Sequence, residues 1–246
     1  MGTLNLDLMM GIPRIIEFVV YLICALAIYK KRDYYLNKVY AFSLCGWCVY
    51  VICDLLIFPI GHIEPITIPT GEAGLSYPLI ANILRNFAVV GALTIAFGYL
   101  YASIVIRYGA ARAKQRKIIL IFLSAAIPIA VIMMFNDSIR KNINVSPQVV
   151  STHYTLFGVI LFAVQLILYF FAIYQHYRVY RGIDKNKPKK RKILYFILGS
   201  LYIAAGVLYF IIIGKLIPGQ DYQMITGPIG HFIWILSPIC IYYGLK

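Results

Sequence analysis

Seven predominantly apolar runs, at about 12–29, 39–60, 79–106, 118–135, 153–174, 193–214 and 224–243, are separated by short polar segments along the chain. Each approaches the roughly 20 residues that a helix needs to cross a hydrocarbon core. A segment in lipid must satisfy its own backbone polar groups, and no run has the two-residue alternation of a barrel strand. Each is therefore expected to be a helix. The fold expected is an all-α, polytopic seven-transmembrane-helix bundle, with residues 1–246 as a single domain. No connection is long enough to hold a soluble domain. The segment before Ile12 has no basic n-region and no small-residue cleavage site follows it, so the first run is read as a retained helix and not a signal peptide.

The connections divide into two chemical kinds. The first run stops at Lys30, Lys31 and Arg32, the third at Arg107, Arg112, Lys114, Arg116 and Lys117. The fifth is followed by a basic stretch from Arg178 to Lys192 that Gly182 and Pro188 interrupt. The alternate connections are poor in basic residues. Residues 61–78 hold His62, Glu64 and Glu72 but no Lys or Arg. Their prolines and glycines oppose a helix, while Ile66-Thr67-Ile68 allows a short hairpin. Residues 136–148 carry two Asn-x-Ser acceptors, at Asn136 and Asn144, which suit an external loop. Of the 23 Lys and Arg residues, 18 fall on one side. That asymmetry predicts an N-terminus outside and a C-terminus in the cytoplasm, in the cell membrane.

Composition agrees: 61% of residues are hydrophobic and 13% charged, and the mean hydropathy is +0.80, far from a soluble globular domain. The formal charge of +14 follows from the topology and does not call for nucleic acid as a partner. The basic face is expected to attract anionic lipid headgroups, at about 1 kcal/mol for each residue near the surface, and leaves room for a cytoplasmic signalling partner. Cys24, Cys45, Cys48, Cys53 and Cys240 all lie inside helical runs, which argues against a loop disulfide framework. Cys45-Gly46-Trp47-Cys48 has the spacing of a dithiol redox motif, but it falls mid-helix without a second pair, so Trp47 and its neighbours are read as packing. Pro128, Pro228 and Pro238 are candidates for kinks.

Candidate chemistry emerges from depth. With 1.5 Å of rise per residue, Glu17, Asp54, Arg85 and His231 each lie about 8–10 Å inside the same end of their helices. Asn82, Asn86 and Thr226 add neutral groups on that side. Ionisable residues at membrane depth are expected to face the bundle interior and to pair with one another. Arg85 should therefore pair with Asp54 or Glu17, and His231 should border the same outward-facing polar pocket. Two acids against one arginine leave a negative charge for a proton, a protonated His231 or a cationic ligand group. A structural ion pair with no ligand is the competing reading. No catalytic constellation, metal-ligand cluster or phosphate-binding glycine loop is present in the sequence. Neither enzymatic activity nor a cofactor or metal is expected.

Several seven-helix families are open to comparison. A retinal protein needs a lysine within the last helix, and none precedes Lys246. Arg107-Tyr108 and Ser237-Pro238-Ile239-Cys240-Ile241-Tyr242 depart from the G-protein-coupled receptor signatures in the missing acidic residue, the Ser in place of Asn and the displaced tyrosine. The ending Leu236-Ser237-Pro238-Ile239-Cys240-Ile241-Tyr242-Tyr243-Gly244-Leu245-Lys246 resembles that of the seven-helix sensor module at the N-terminus of bacterial and archaeal histidine kinases. That resemblance implies a stand-alone module binding a small molecule or lipid from outside and signalling through its basic cytoplasmic loops. Pro147-Gln148 resembles one motif of the small-solute transporters built from two three-helix halves and a linker helix, where Pro13-Arg14 stands in the other half. Such a transporter using the same pocket, or a structural subunit of a membrane complex, is the alternative expectation.

Overall fold

The structure is a computed structural model that describes residues 2–31, 34–63, 67–69, 76–134, 140–145, 150–184, 187–216 and 227–245. Its long helices are α1 (Gly2–Lys31), α2 (Tyr35–Ile63), α3 (Leu79–Tyr108), α5 (Arg116–Met133), α6 (Leu156–Arg181), α7 (Pro188–Leu216) and α8 (Gly227–Leu245). A single turn, α4 (Ala110–Ala113), joins α3 to α5. All seven long helices contain a stretch long and apolar enough to cross a membrane, and the chain is a multi-pass membrane protein of seven spans. The readings for Thr226, Asn136, Glu64, Glu72 and Pro147-Gln148 lie outside the described residues.

Two short antiparallel hairpins stand between the helices at one end of the bundle: β1 (Thr67–Pro69) with β2 (Ser76–Pro78), and β3 (Arg140–Val145) with β4 (Val150–Tyr154). The first is the hairpin expected near Ile66-Thr67-Ile68. The second corrects the reading of a plain loop running into a helix at His153. His153 pairs with Asn142 in the ladder, and Asn144 lies in β3 opposite Ser151. The helix starts only at Leu156, where the Thr155 side chain accepts a hydrogen bond from the Gly158 amide at 3.1 Å. That cap satisfies one of the amides a helix start leaves without an intrahelical partner.

Other boundaries have equally local causes. The α3 helix ends at Gly109, whose φ of 84° is open to glycine and costly for other residues. Pro228 is not a kink: it is the second residue of α8, in the first turn, where a missing amide hydrogen costs nothing. Pro13, Pro59, Pro128 and Pro238 do lie within helices.

The helices form a closed ring. In order round it, α1 packs on α2, α2 on α3, α3 on α6, α6 on α7, α7 on α8, and α8 back on α1, while α5 lies outside against α3. Met133 is the one residue of α5 that is buried. Two pairs of helices approach most closely, and both do so over glycine. Between α2 and α3, a Cβ on Gly46 would overlap the Thr94 side chain, one on Gly98 would overlap Ser43, and one on Gly91 would stand 2.6 Å from the Gly46 carbonyl oxygen. Between α7 and α8, a Cβ on Gly206 would overlap Trp234, and one on Gly199 would stand 2.9 Å from the Ser237 carbonyl oxygen. Small residues permit such backbone contact, and in a membrane close packing is a principal force joining helices.

Replacing Gly91 with leucine should therefore separate α2 from α3, because the obstruction is backbone and cannot rotate away. The expected loss is roughly 1–3 kcal/mol or more of stability, read as a lower thermal midpoint in detergent. The same change at Gly109 is not equivalent, since no atom lies within 4 Å of a Cβ there.

Candidate functional site

Helix α2 carries Tyr40, Trp47 and Asp54 at seven-residue spacing, which returns to nearly the same face after two turns. Each is met by a different set of partners, and the upper two sets contain the residues singled out by depth.

At Asp54 the helices are tied by a carboxylate between two guanidinium groups. Arg85 of α3 donates from Nη1 to Oδ1 at 2.7 Å, and Arg14 of α1 donates from Nε to Oδ2 at 2.8 Å. Arg85 thus takes Asp54, one of the two acids expected for it. Arg14 is an addition that changes the electrostatics. Among the described side chains, Glu17 and Asp54 face two arginines and a histidine, so the excess negative charge expected from a single arginine is absent there. The side chains of Arg14, Arg85 and Asp54 retain 23%, 15% and 10% of their exposure, which makes this the more accessible of the two clusters.

Glu17 belongs to a second, deeper cluster. It is fully buried at 0% exposure, as are, nearly, His231 at 2% and Trp47 at 4%. The Trp47 indole Nε1 donates to Glu17 Oε1 at 2.7 Å, and His231 Nδ1 lies 2.5 Å from Oε2. Both carboxylate oxygens are therefore engaged, by side chains from α2 and α8. Three helices that are not all consecutive in sequence meet on one carboxyl group. Charge-assisted bonds of this kind are the stronger class of hydrogen bond.

Aromatic rings enclose that carboxyl group. Trp47 lies 5.1 Å from Trp234 and 4.7 Å from Tyr50 between ring centroids, and it stacks on Tyr21 at 5.9 Å. Phe210 of α7 is 5.7 Å from His231 and 4.7 Å from Trp234. Both tryptophans of the chain are in this one cluster. Tyr50, one turn from Trp47 and from Asp54, is within electrostatic reach of Asp54, Arg85, Glu17 and Arg14 and so lies between the two clusters.

The remaining polar candidates divide. Asn82 is buried on α3. Asn86 is buried too, and its Nδ2 donates to the Met134 carbonyl at 2.9 Å, at the end of α5 where a carbonyl lacks an intrahelical partner. That bond attaches the outlying α5 to the ring. The sequence reading took Trp47 as packing only and passed over Arg14, Tyr50 and Trp234 as site residues. Trp47 was detectable, because it is seven residues before Asp54; Arg14 was not, because depth alone placed it at the helix end.

Comparison with family models and with curated proteins gives no match. Among the described residues, no group of three or more His, Cys, Asp or Glu side chains is arranged to hold a metal ion, and the cysteines are free thiols. The arrangement is one of paired charges and indole or imidazole donors around carboxylates.

Removing both arginines leaves a mostly buried carboxylate without these counter-charges, a loss of about 3–5 kcal/mol where a buried pair is broken from one side. The single variants Arg14→Ala and Arg85→Ala should each lose less than half of what the double variant loses. Adding Asp54→Asn to the double variant should recover part of it, in a thermal-unfolding cycle in one detergent. Trp47→Phe keeps an aromatic ring and deletes one donor to Glu17, and it should cost about 1.5–3 kcal/mol in the same measurement.

Proposed function

We propose that this protein is a seven-helix membrane sensor, a receptor-like module whose ligand, a small molecule or a lipid, enters among Arg14, Asp54, Arg85 and the Glu17–His231 cluster. The observation that carries the reading is the double engagement of Glu17. A fully buried carboxyl group joining α1, α2 and α8 is expensive in a bilayer unless its partners are held in place, so a ligand that changes any of those partners changes how three helices meet. Asn82 and Asn86 extend the polar surface on α3.

In this reading the end bearing the hairpins faces outward and the basic end faces the cytoplasm, in the cell membrane. The support is the concentration of 18 of 23 basic residues at one side under the positive-inside rule. The basic segments also provide the surface on which anionic lipid and a cytoplasmic signalling partner would be engaged. The likeness of the α8 ending to the sensor modules of histidine kinases points the same way.

A second reading has its own observation. The tight glycine-lined pairs are α2–α3 and α7–α8, the two groups α1–α3 and α6–α8 meet through α1–α8 and α3–α6, and α5 stands aside. Two three-helix halves and a linker would share that order, the design in which halves rock about a central site, although α6 packs more extensively on α3 than on α7.

The two readings part in reconstituted vesicles. For a sensor, candidate small molecules raise the thermal midpoint of the protein in nanodiscs, the shift disappears in a folded Arg85→Ala variant, and the same molecules do not accumulate in proteoliposomes. Accumulation that is lost on neutralising Asp54 or Glu17 would sink the sensor in favour of a transporter. Intact ligand shifts in Arg85→Ala, with only basal stability lowered, would leave the Asp54 cluster as a structural pair.

A further inference from the structure

Below the Glu17 cluster, the centre of the bundle is not purely apolar. Tyr21 of α1, Tyr99 of α3, Tyr169 of α6, Ser200 of α7 and Ser237 of α8 are all buried there, at 0–3% exposure. Two of these hydroxyls are satisfied by carbonyls: Tyr21 donates to Trp234 at 3.1 Å and Tyr169 to Ser200 at 2.8 Å. Three others, Tyr99 Oη, Ser200 Oγ and Ser237 Oγ, complete no hydrogen bond with the protein. They share one region. Ser237 is close enough to Tyr21 and to Tyr99 to interact with either hydroxyl, and Ser200 is as close to Tyr169. The Tyr99 and Tyr169 rings are 5.4 Å apart, and Gly199, beside Ser200, faces the Ser237 carbonyl across α7 and α8.

Buried hydroxyls left unpaired carry a desolvation penalty, and it is greatest in a membrane bundle with no solvent nearby. One unpaired hydroxyl is an oddity. Three from three helices, lying beside Tyr21 and Tyr169, form a polar group in which neighbouring hydroxyls approach one another without completing a hydrogen bond. Buried polar groups of this kind are met in proteins by internal water, each molecule making two to four such bonds.

We propose that Tyr99, Ser200 and Ser237 form a binding site for internal water. The water bonds these hydroxyls to one another and to the neighbouring Tyr21 and Tyr169. The site extends the Glu17–His231 cluster toward a second buried imidazole, His176, whose Nε2 is 3.0 Å from the Tyr40 hydroxyl and whose neighbour Tyr40 packs on Tyr99 at 5.2 Å between ring centroids. Along α2 the distance from Trp47 to Tyr40 is seven residues, about 10 Å, so a few water molecules suffice to connect the two levels. The site needs no ligand from outside and stands independently of the sensor reading.

Hydroxyl radicals generated by an X-ray pulse from water already in place label side chains beside that water, whether or not they reach the surface. With the full chain in lipid nanodiscs, Tyr99 and Tyr169 are expected to be modified at rates approaching that of the exposed Tyr108. Met133 is the control: it is fully buried in a separate cluster, with its sulfur accepting from Gln165 Nε2 at 3.6 Å, and should stay protected even though a thioether is the more oxidisable side chain. Tyr99 and Tyr169 as protected as Met133 would overturn the proposal, on the unmodified protein alone. Ser200→Ala and Ser237→Ala give a second test. If the hydroxyls hold water, labelling of Tyr99 falls severalfold in both. If the region is dry, labelling does not change and the thermal midpoint rises, because an unsatisfied hydroxyl has been removed.

Discussion

A charge inside a bilayer-spanning helix has to be answered by another group on the same level, and this requirement shapes the bundle more than any other. Glu17 is the sharpest case, with its carboxyl group out of reach of solvent and both oxygens occupied. Its partners come from α2 and α8, so the carboxylate fixes the closure of the ring where the first helix meets the last. Asp54 does the same for α1, α2 and α3 through two arginines. Between them these two acids link four of the seven spans, and the aromatic shell around Glu17 adds a fifth through Phe210 of α7. Close packing over the glycines joins the helices in pairs; the carboxylates add register and facing across three helices at a time.

Much of this was legible from the chain, and the limits have physical causes. Hydropathy locates spans because the hydrocarbon core has a definite thickness, so the seven helices were readable to within a few residues at most ends. The exceptions are α1, which begins at Gly2, ten residues before Ile12, and α6, which runs to Arg181, seven residues past Tyr174; the late start of α6 follows from the pairing of β3 with β4, a hairpin too short to leave a clear alternation. Depth counted from Ile12 assigned Glu17 to the level of Asp54, Arg85 and His231; Arg85 does join Asp54, but α1 begins at Gly2, and Glu17 lies lower, against Trp47, two turns of α2 from Asp54. Depth carries no azimuth, however. It could not say that Glu17 would turn to Trp47 and His231 instead of to Arg85. Nor could it say that Arg14, placed near the helix end, would be long enough to reach Asp54. Asn86 shows the same limit, since at its level it is turned to a carbonyl on α5.

The glycines explain why so much polar and aromatic chemistry fits inside seven narrow helices. Where α2 meets α3 and α7 meets α8, the backbones themselves are in contact, and the volume saved there is available at the centre for two tryptophans and a group of tyrosines. Close packing at the two glycine seams and bulky rings at the centre are complementary parts of one arrangement. It also accounts for the position of α5, which beyond Arg116 and Lys117 at its start has neither a charge nor a glycine, and is held mainly by its contact with α3.

The seven-residue spacing of Tyr40, Trp47 and Asp54 has a mechanical meaning. Because the three project from nearly the same side of one stiff rod, a turn of α2 about its own axis swings all of them in the same sense at once. It would draw Asp54 from its arginines, Trp47 from Glu17 and Tyr40 from His176 together. The three contacts are thus coupled through the backbone of one helix, as lobes on a single shaft would be. Any displacement of one lobe would reach the others through that backbone, without a chain of side chains to pass it on.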